Sequence, residues 1–377
     1  MTAALAVFLT AIVVWVSHGY YNDRIKPLRE VVIVVNDTSF DMDYYVKTLE
    51  VYGKGVDPSQ FYFMSDMVAN RIVRGEVLRQ GAATLGIETT SEEISEKIEE
   101  NDLPNKEVYR DMVATDLLNG RLQEHFASLL PDTMEQANIQ VMLVESQAAA
   151  DVVKASLGSG WDFIELAEEF LCNPEVEVEP GWLPRDLIVN PLIADAVFEP
   201  GSDGVRSLYD DSAVKSVGYW LIEVIERDDE EEMIHARAML LGSEEEAKQV
   251  KAQLTGENFA ELAEAHSQHL SSEDGGELDW IEKGNVNSEA FDQVAFSLEP
   301  NIVSAPVKDE TAQTKGGYWI VNVLEKGDHE LSQDVKDRLT MKAFDDWGRE
   351  QTENSTIEIF LDAAKKSWAV DRAVKGK

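Results

Sequence analysis

Two histidines at H-x-x-H spacing, His266 and His269, are the side chains of this sequence that come closest to a metal-binding pair. Imidazole nitrogens bind zinc, but protein zinc sites take three or four protein ligands. No third ligand lies near the pair at metal-binding spacing. The pair therefore predicts no metal site, and we expect the protein to bind no metal.

Patterns of other catalytic classes are absent from the sequence. It has no Ser-His-Asp set, no phosphate-binding loop and no dinucleotide fingerprint, so nothing supports those enzyme classes. Cys172 is the single cysteine, which excludes an intramolecular disulfide and a multi-cysteine zinc site. No cofactor is expected.

Length and charge limit the remaining classes. The 377 residues suit two or three domains, and 44% apolar residues is an ordinary globular value. Acidic residues number 72 against 33 basic ones, for a formal net charge of -39. Such a surface repels phosphate backbones and anionic headgroups, so neither nucleic acid nor an electrostatic membrane attachment is expected.

The N-terminus carries an apolar segment. Ala3–Val16 is almost unbroken in its apolar character, although it is shorter than the roughly 20 residues that span a bilayer comfortably. The alternative is a buried helix at the start of a domain. Basic residues follow the segment and none precedes it, which by the positive-inside rule would place the body in the cytoplasm. We expect instead a basic leader upstream of Met1. Residues 1–22 would then anchor an extracytoplasmic body by a single pass at the cell membrane.

Helical patterns dominate the elements that follow. Val31–Val35 reads as a short strand, and Phe61–Leu85 carries apolar residues at helical spacing. Thr90 opens a capping box with Glu93, and a further helix is predicted from about Lys106 to Leu130. Near the C-terminus Ser332 is a plausible N-cap, and residues 356–361 could be a strand or a helix start.

The centre of the chain is an internal repeat. Five segments recur in the same order at a nearly constant offset. They are Val141–Val144 and Ala238–Leu241, Trp161–Phe170 and Glu257–His266, Gly181–Trp182 and Asp279–Trp280, Glu199–Pro200 and Glu299–Pro300, and Gly218–Val224 and Gly317–Val323. Each copy predicts helices packed on an antiparallel sheet. The acidic run Asp228–Glu232 is interpreted as a solvated linker between the copies.

The second copy carries a set of motifs that the first copy keeps only in part. They are Phe259–Ala263, His266–Ser267, Ser271–Leu278 with Trp280, Phe291–Phe296, Leu298–Pro300, Ser304–Val307 and Gly317–Tyr318. With them the second copy resembles the parvulin family of peptidyl-prolyl isomerases, and the first copy is an eroded version. The flanking segments make the whole chain similar to extracytoplasmic foldases of the SurA/PrsA type.

This resemblance implies an α+β protein with an N-terminal helical chaperone module, two tandem parvulin-like domains and a C-terminal helix that returns to the module. The implied segments are a signal anchor over 1–22, a SurA-N-like module over 30–135, parvulin-like domains over 138–228 and 233–327, and a C-terminal segment over 331–377.

The resemblance also implies a site in the second copy. Parvulins hold the proline ring in a pocket of Leu, Met and Phe beside two histidines and a Cys or Asp. The implied substrate-binding residues are Leu278, Val286, Phe291, Trp319 and Ala238, with His269 as the catalytic candidate. Ala238 and Trp319 stand where the family has its histidines, and His269 stands at its Cys or Asp position.

Several of these residues have open alternatives. His269 could polarise a bound amide or be a surface histidine without a role. Leu278 and Phe291 could line a pocket or belong to the core. In the first copy the histidine positions fall on Val141 and Trp220, and we expect Trp220 and Trp319 to fill the space that the absent imidazoles leave.

Two functions follow from the resemblance. Rotation about an X-Pro bond has a barrier of about 18–20 kcal/mol and needs no covalent step. The first function is therefore a prolyl isomerase with a reduced polar site and chaperone activity. The second is a catalytically inactive chaperone that uses the parvulin fold to bind peptides. In either case the expected partners are unfolded or exported polypeptides with X-Pro segments.

Overall fold

The computed structural model describes residues 25–57, 60–201, 204–228 and 230–375. They form two compact units, one of residues 25–131 and 332–375 and the other of residues 132–331. Within these described ranges no helix is long and apolar enough to cross a membrane. The anchor predicted over residues 1–22 lies outside them.

The described elements mix helices with antiparallel sheets, so the α+β class predicted from the sequence is confirmed. The α-helices are α1 (Met42–Tyr52), α2 (Phe61–Thr84), α3 (Ser91–Glu100), α4 (Glu107–Ser128), α5 (Gln147–Gly158), α6 (Phe163–Phe170), α7 (Pro191–Phe198), α8 (Glu244–Gln253), α9 (Phe259–His266), α10 (Glu289–Ala295), α11 (Gln333–Glu353) and α12 (Ala363–Lys375). The strands are β1 (Val31–Val35), β2 (Thr38–Asp41), β3 (Thr133–Val144), β4 (Gly181–Pro184), β5 (Gly204–Lys215), β6 (Gly218–Asp228), β7 (Met233–Leu241), β8 (Glu277–Ile281), β9 (Val307–Asp309), β10 (Thr314–Glu330) and β11 (Ile357–Ile359).

The first unit joins segments from both ends of the chain. Its sheet has the order β11-β1-β2, and Ile33 of β1 pairs with Ile359 of β11. Residues 356–361, which the sequence left open, therefore contain a strand. In the same unit α12 packs on α1 and α11 packs on α4. The C-terminal helices thus share a core with the N-terminal ones.

Local signals fix where these helices begin. The Thr90 side chain accepts a hydrogen bond from the Glu93 amide, and the Glu93 carboxylate accepts one from the Thr90 amide, as the capping box predicts. Ser332 caps α11 by accepting from the Val335 amide at 3.3 Å. Each cap stabilises its helix by about 1 kcal/mol, because it satisfies a donor that the helix leaves unpaired.

The second unit contains both copies of the repeat, arranged around two four-stranded antiparallel sheets. The sheet orders are β4-β3-β10-β5 and β8-β7-β6-β9. By sequence β6 is the last strand of the first copy, and β10 is the last strand of the second. In the fold β6 lies between β7 and β9, and β10 lies between β3 and β5. The copies have therefore exchanged their last strands.

The exchange has causes in the sequence. Only four residues separate β6 from β7, so the two strands pair as a hairpin, with Ile222 opposite Ala238. The acidic run at 228–232, interpreted from sequence as a linker between two closed domains, connects the arms of this hairpin instead. Glu223 of β6 then forms an ion pair of 2.7 Å with Arg237 of β7.

The corresponding position of the other sheet is occupied by a neutral pair. Asn322 of β10 donates through Nδ2 to Gln140 Oε1 of β3 at 3.0 Å. If each copy kept its own last strand, Glu223 would face Gln140, and Arg237 would face Asn322. The exchanged arrangement is favoured because it matches charge with charge and amide with amide.

A buried lysine ties the two sheets together. The Lys215 side chain, 2% exposed, lies at the end of β5 and donates to the main-chain oxygens of Glu145 and Gly242. Those two residues follow β3 and β7 and occupy equivalent positions of the repeat. Burial lowers the pKa of Lys215. One ammonium group thus binds the same point of both copies.

Candidate functional site

The second copy contains an apolar cluster built on β6 and β7. Ala238 and Phe291 are fully buried in it, and Leu278 and Val286 are half-buried against it. Ser288 starts α10 by accepting from the Phe291 amide, which places the Phe291 ring against the sheet. The structure therefore brings together four of the five predicted substrate-binding residues.

The fifth predicted residue, Trp319, lies elsewhere. Because β10 belongs to the other sheet, Trp319 packs against the apolar cluster of the first copy. Its place in the second copy is taken by Trp220 of β6, which is 3% exposed. The Trp220 ring lies 5.3 Å from Phe291, centre to centre, in an edge-on arrangement. Strand exchange, which the motif positions do not reveal, is the reason for this correction.

The catalytic candidate His269 lies at the edge of the same cluster. Its ring is 5.2 Å from the Trp220 ring, and its Nδ1 is 2.9 Å from Ser271 Oγ. The side chain is half-buried, and burial lowers its pKa. His269 therefore stands as a neutral imidazole at neutral pH. It can exchange hydrogen bonds with a bound amide, but it brings no positive charge to it.

A hydrogen-bond network holds Trp220 in place. The indole Nε1–H donates to Asp309 Oδ2 at 3.1 Å, and Ser288 Oγ–H donates to the same oxygen at 2.5 Å. Burial alone would raise the pKa of Asp309, but hydrogen bonds from Ser288, Thr311 and Trp220 outweigh it and lower the pKa to about 2. Asp309 thus links the central strand, the edge strand β9 and the start of α10.

The first copy repeats this network at equivalent positions, with Asn190 in place of Ser288. Trp319 Nε1–H donates to Asp210 Oδ2 at 2.9 Å, and Asn190, the N-cap of α7, donates to the same oxygen at 2.9 Å. Hydrogen bonds from Ser212, Trp319 and Asn190 outweigh burial and lower the Asp210 pKa to about 2. The two tryptophans therefore fill equivalent positions, each in the sheet of the other copy.

Sequence reasoning missed both aspartates. Each stands ten positions before its tryptophan, Asp210 before Trp220 and Asp309 before Trp319. This constant spacing is the sequence signal from which the two aspartates could have been found. The hydrogen-bond partners are nevertheless crossed, because Asp309 binds Trp220 and Asp210 binds Trp319.

An open cavity lies in the first copy, between α7 and the edge strand β5. Its volume is about 440 Å³, and its apolar wall includes Leu192, Phe198 and Leu208. Two ion pairs border it, Arg185 with Asp195 and Arg206 with Glu199. The wall and rim together offer apolar surface beside hydrogen-bond donors, which suits a short stretch of polypeptide.

The aspartate networks predict acid sensitivity. A folded pKa of about 2, against 3.8 for a free aspartate, gives Asp309 a stabilising contribution that is present above pH 4 and lost as pH falls through 2. The shift corresponds to about 2 kcal/mol, and it applies to a side chain only 4% exposed. In urea unfolding between pH 6 and pH 2, the wild type should therefore lose about 2 kcal/mol more than Asp309→Asn. A pH-independent difference between the two proteins would contradict this prediction.

Comparison with known families agrees with the motifs of the second copy. Residues 235–325 match the Rotamase family, described as the PPIC-type PPIASE domain. The matched range contains most of β10 but omits β6. The family pattern thus follows chain order, whereas the sheet of the second copy takes its central strand from outside the match.

Similarity to curated proteins extends further along the chain. The chaperone SurA of Aromatoleum aromaticum is 27% identical over 68% of this chain and 64% of its own length. The chaperone SurA of Nitrosospira multiformis is 22% identical over 90% of this chain and 92% of its own length. The foldase protein PrsA of Geobacillus kaustophilus is 32% identical over 37% of this chain and 46% of its own length.

Among solved structures, the crystal structure of PrsA from Bacillus subtilis covers 92% of this chain and 93% of its own, with 15% identity and a TM-score of 0.20. The family match and the curated relatives identify this chain as a protein with a parvulin-type rotamase domain. Over the matched stretches it is similar to the chaperone SurA and to the foldase PrsA.

Proposed function

We propose that this protein is an extracytoplasmic chaperone that binds unfolded or exported polypeptides and uses its parvulin-type fold mainly as a peptide-binding scaffold. The observation that carries the proposal is the Trp220 position. Where the family has a histidine, a buried indole fills the space against Phe291, and its one donor is bound to Asp309. A group held in this way has no free donor for a twisting amide.

Binding is better supported in the first copy. Its cavity of about 440 Å³ opens beside the edge strand β5, and the mouth includes Leu192, which is 45% exposed. Extended apolar segments suit such a wall, and the strongly acidic surface of the protein disfavours acidic clients. We therefore assign client binding to this cavity and its rim.

A client-binding assay tests this assignment. Leu192→Asp places a charge in the mouth, and we expect it to weaken suppression of client aggregation by about tenfold, since a buried apolar contact contributes about 1.4 kcal/mol or more. Val152→Asp is the matched control, because Val152 is 50% exposed on α5 outside the cavity. Equal loss in both variants, or no loss in Leu192→Asp, would argue against the cavity.

Weak isomerase activity is the second candidate function. It is favoured by His269, a neutral imidazole beside the cluster that holds Phe291 and Trp220. A protease-coupled proline-peptide assay separates the two functions. Acceleration at micromolar protein that Phe291→Ala abolishes would favour the enzyme. Aggregation suppression that survives Phe291→Ala would favour the chaperone.

Residues 30–135 with 331–377 would form the chaperone module, and residues 138–228 and 233–327 the two parvulin-like copies. Residues 1–22 would be the signal anchor, in keeping with the apolar run Ala3–Val16. Protease added to intact cells should digest the body of the protein if this placement is right. Protection of the body from that protease would contradict it.

A further inference from the structure

Three side chains with metal-binding atoms meet on β7 and β8, away from the cluster around Phe291. They are His235 of β7 and Glu277 and Asp279 of β8, and one ligand atom from each lies within 4.8 Å of the others. His235 Nε2 is 2.7 Å from Glu277 Oε1. His235 is three residues from Ala238, so it lies on the opposite face of the sheet.

The sheet produces this meeting through an irregularity. His235 pairs with Trp280, but two positions later Arg237 pairs with Glu277, so β8 contains one extra residue. Asp279, at a φ of 55°, lies in this bulge. The Trp280 ring stacks on the His235 ring at 5.6 Å and 25°, which fixes the plane of the imidazole. Two carboxylates and one imidazole are thereby held by main-chain pairing rather than by flexible loops.

Two carboxylates face one imidazole in this cluster. Glu277 Oε1 is shielded from solvent and lies 2.7 Å from His235 Nε2. Arg237, which pairs with Glu277 across the two strands, donates its Nε to Glu223 at 2.7 Å instead.

We propose that His235, Glu277 and Asp279 bind one divalent transition-metal ion. An imidazole nitrogen with two carboxylate oxygens suits Zn²⁺, Ni²⁺ or Cu²⁺, whereas Mg²⁺ and Ca²⁺ prefer oxygen ligands alone. Water would complete the coordination, since Asp279 is exposed. The ion would join the edge strand β8 to β7, and this site is independent of client binding at the first-copy cavity.

Zinc titration of the full chain tests the proposal. The protein is prepared without an affinity tag, treated with a chelator, and titrated with Zn²⁺ by calorimetry. We expect one equivalent to bind with micromolar affinity. The affinity should fall at least about tenfold in His235→Ala and in Glu277→Gln, because each removes a ligand. Excess Mg²⁺ should not compete.

His266→Ala is the matched control, since His266 is also partly exposed in the same copy but lies outside the cluster. Its affinity for Zn²⁺ should equal that of the wild type. A Cu²⁺ spectrum with a single coordinated nitrogen, lost in His235→Ala, gives a readout that does not depend on stability. Absence of stoichiometric binding, or wild-type binding by His235→Ala, would overturn the proposal and leave a simple His235–Glu277 ion pair.

Discussion

Val321→Asp, a substitution in the last strand of the second copy, is expected to disrupt the sheet of the first copy. Val321 is 1% exposed and faces Val141 of β3 and Arg206 of β5. A carboxylate buried there without a partner should lower the free energy of unfolding by about 4 kcal/mol. Hydrogen exchange followed by mass spectrometry should show the loss of protection first in β3 and β5.

Ile222→Asp is the matched control for this prediction. Ile222 is the repeat equivalent of Val321, is fully buried, and faces Ala238 of β7. Its substitution should expose β7 and leave β3 protected. If the protein fails to fold with either aspartate, the alanine variants, each costing about 2 kcal/mol, allow the same comparison. If either variant instead lost protection in the copy to which its strand belongs by sequence, the exchange of strands would be contradicted.

Lys215→Met is expected to destabilise the second unit by about 3 kcal/mol. Methionine keeps the length and apolar character of the stem but removes the ammonium donor. The main-chain oxygens of Glu145 and Gly242 would then lose a buried donor, at a cost of about 1–3 kcal/mol each. Urea unfolding, followed by tryptophan fluorescence, measures the change.

Lys315→Met provides the comparison, because Lys315 is an exposed lysine on β10. A surface substitution of this kind should change stability by less than about 0.5 kcal/mol. Stability of Lys215→Met equal to that of the wild type would mean that relief of the buried charge offsets the lost hydrogen bonds. In that case Lys215 would not be the tie between the copies.

Much of the fold could be predicted from the sequence because local signals are strong. The capping box at Thr90, the N-cap at Ser332 and the strand at Val31–Val35 all depend on neighbouring residues, and all are present. The exchange of strands could not be found in this way. Gly218–Val224 and Gly317–Val323 are nearly the same sequence, so apolar periodicity fits either strand into either sheet.

Part of the candidate site could likewise be predicted from the sequence, and part of it could not. The motifs of the second copy place Ala238 and Phe291 in one cluster. This prediction does not depend on the exchange, because both residues lie on elements that stay in the second copy. Trp319 was assigned to the wrong copy, since its location depends on which sheet receives β10. Asp309 was missed because its role depends on a tryptophan contributed by the other copy.

The exchange of strands also determines the order in which the two sheets can be completed. During synthesis β3, β4 and β5 emerge first, but β10, which pairs Val321 with Val141, is made only after the whole second copy. The sheet of the first copy therefore lacks the strand between β3 and β5 until β10 has been made. The sheet of the second copy can form at once, because β6 is made before β7 and β8. A long-range pairing of this kind is slow to form. We expect the sheet that begins first to be completed last.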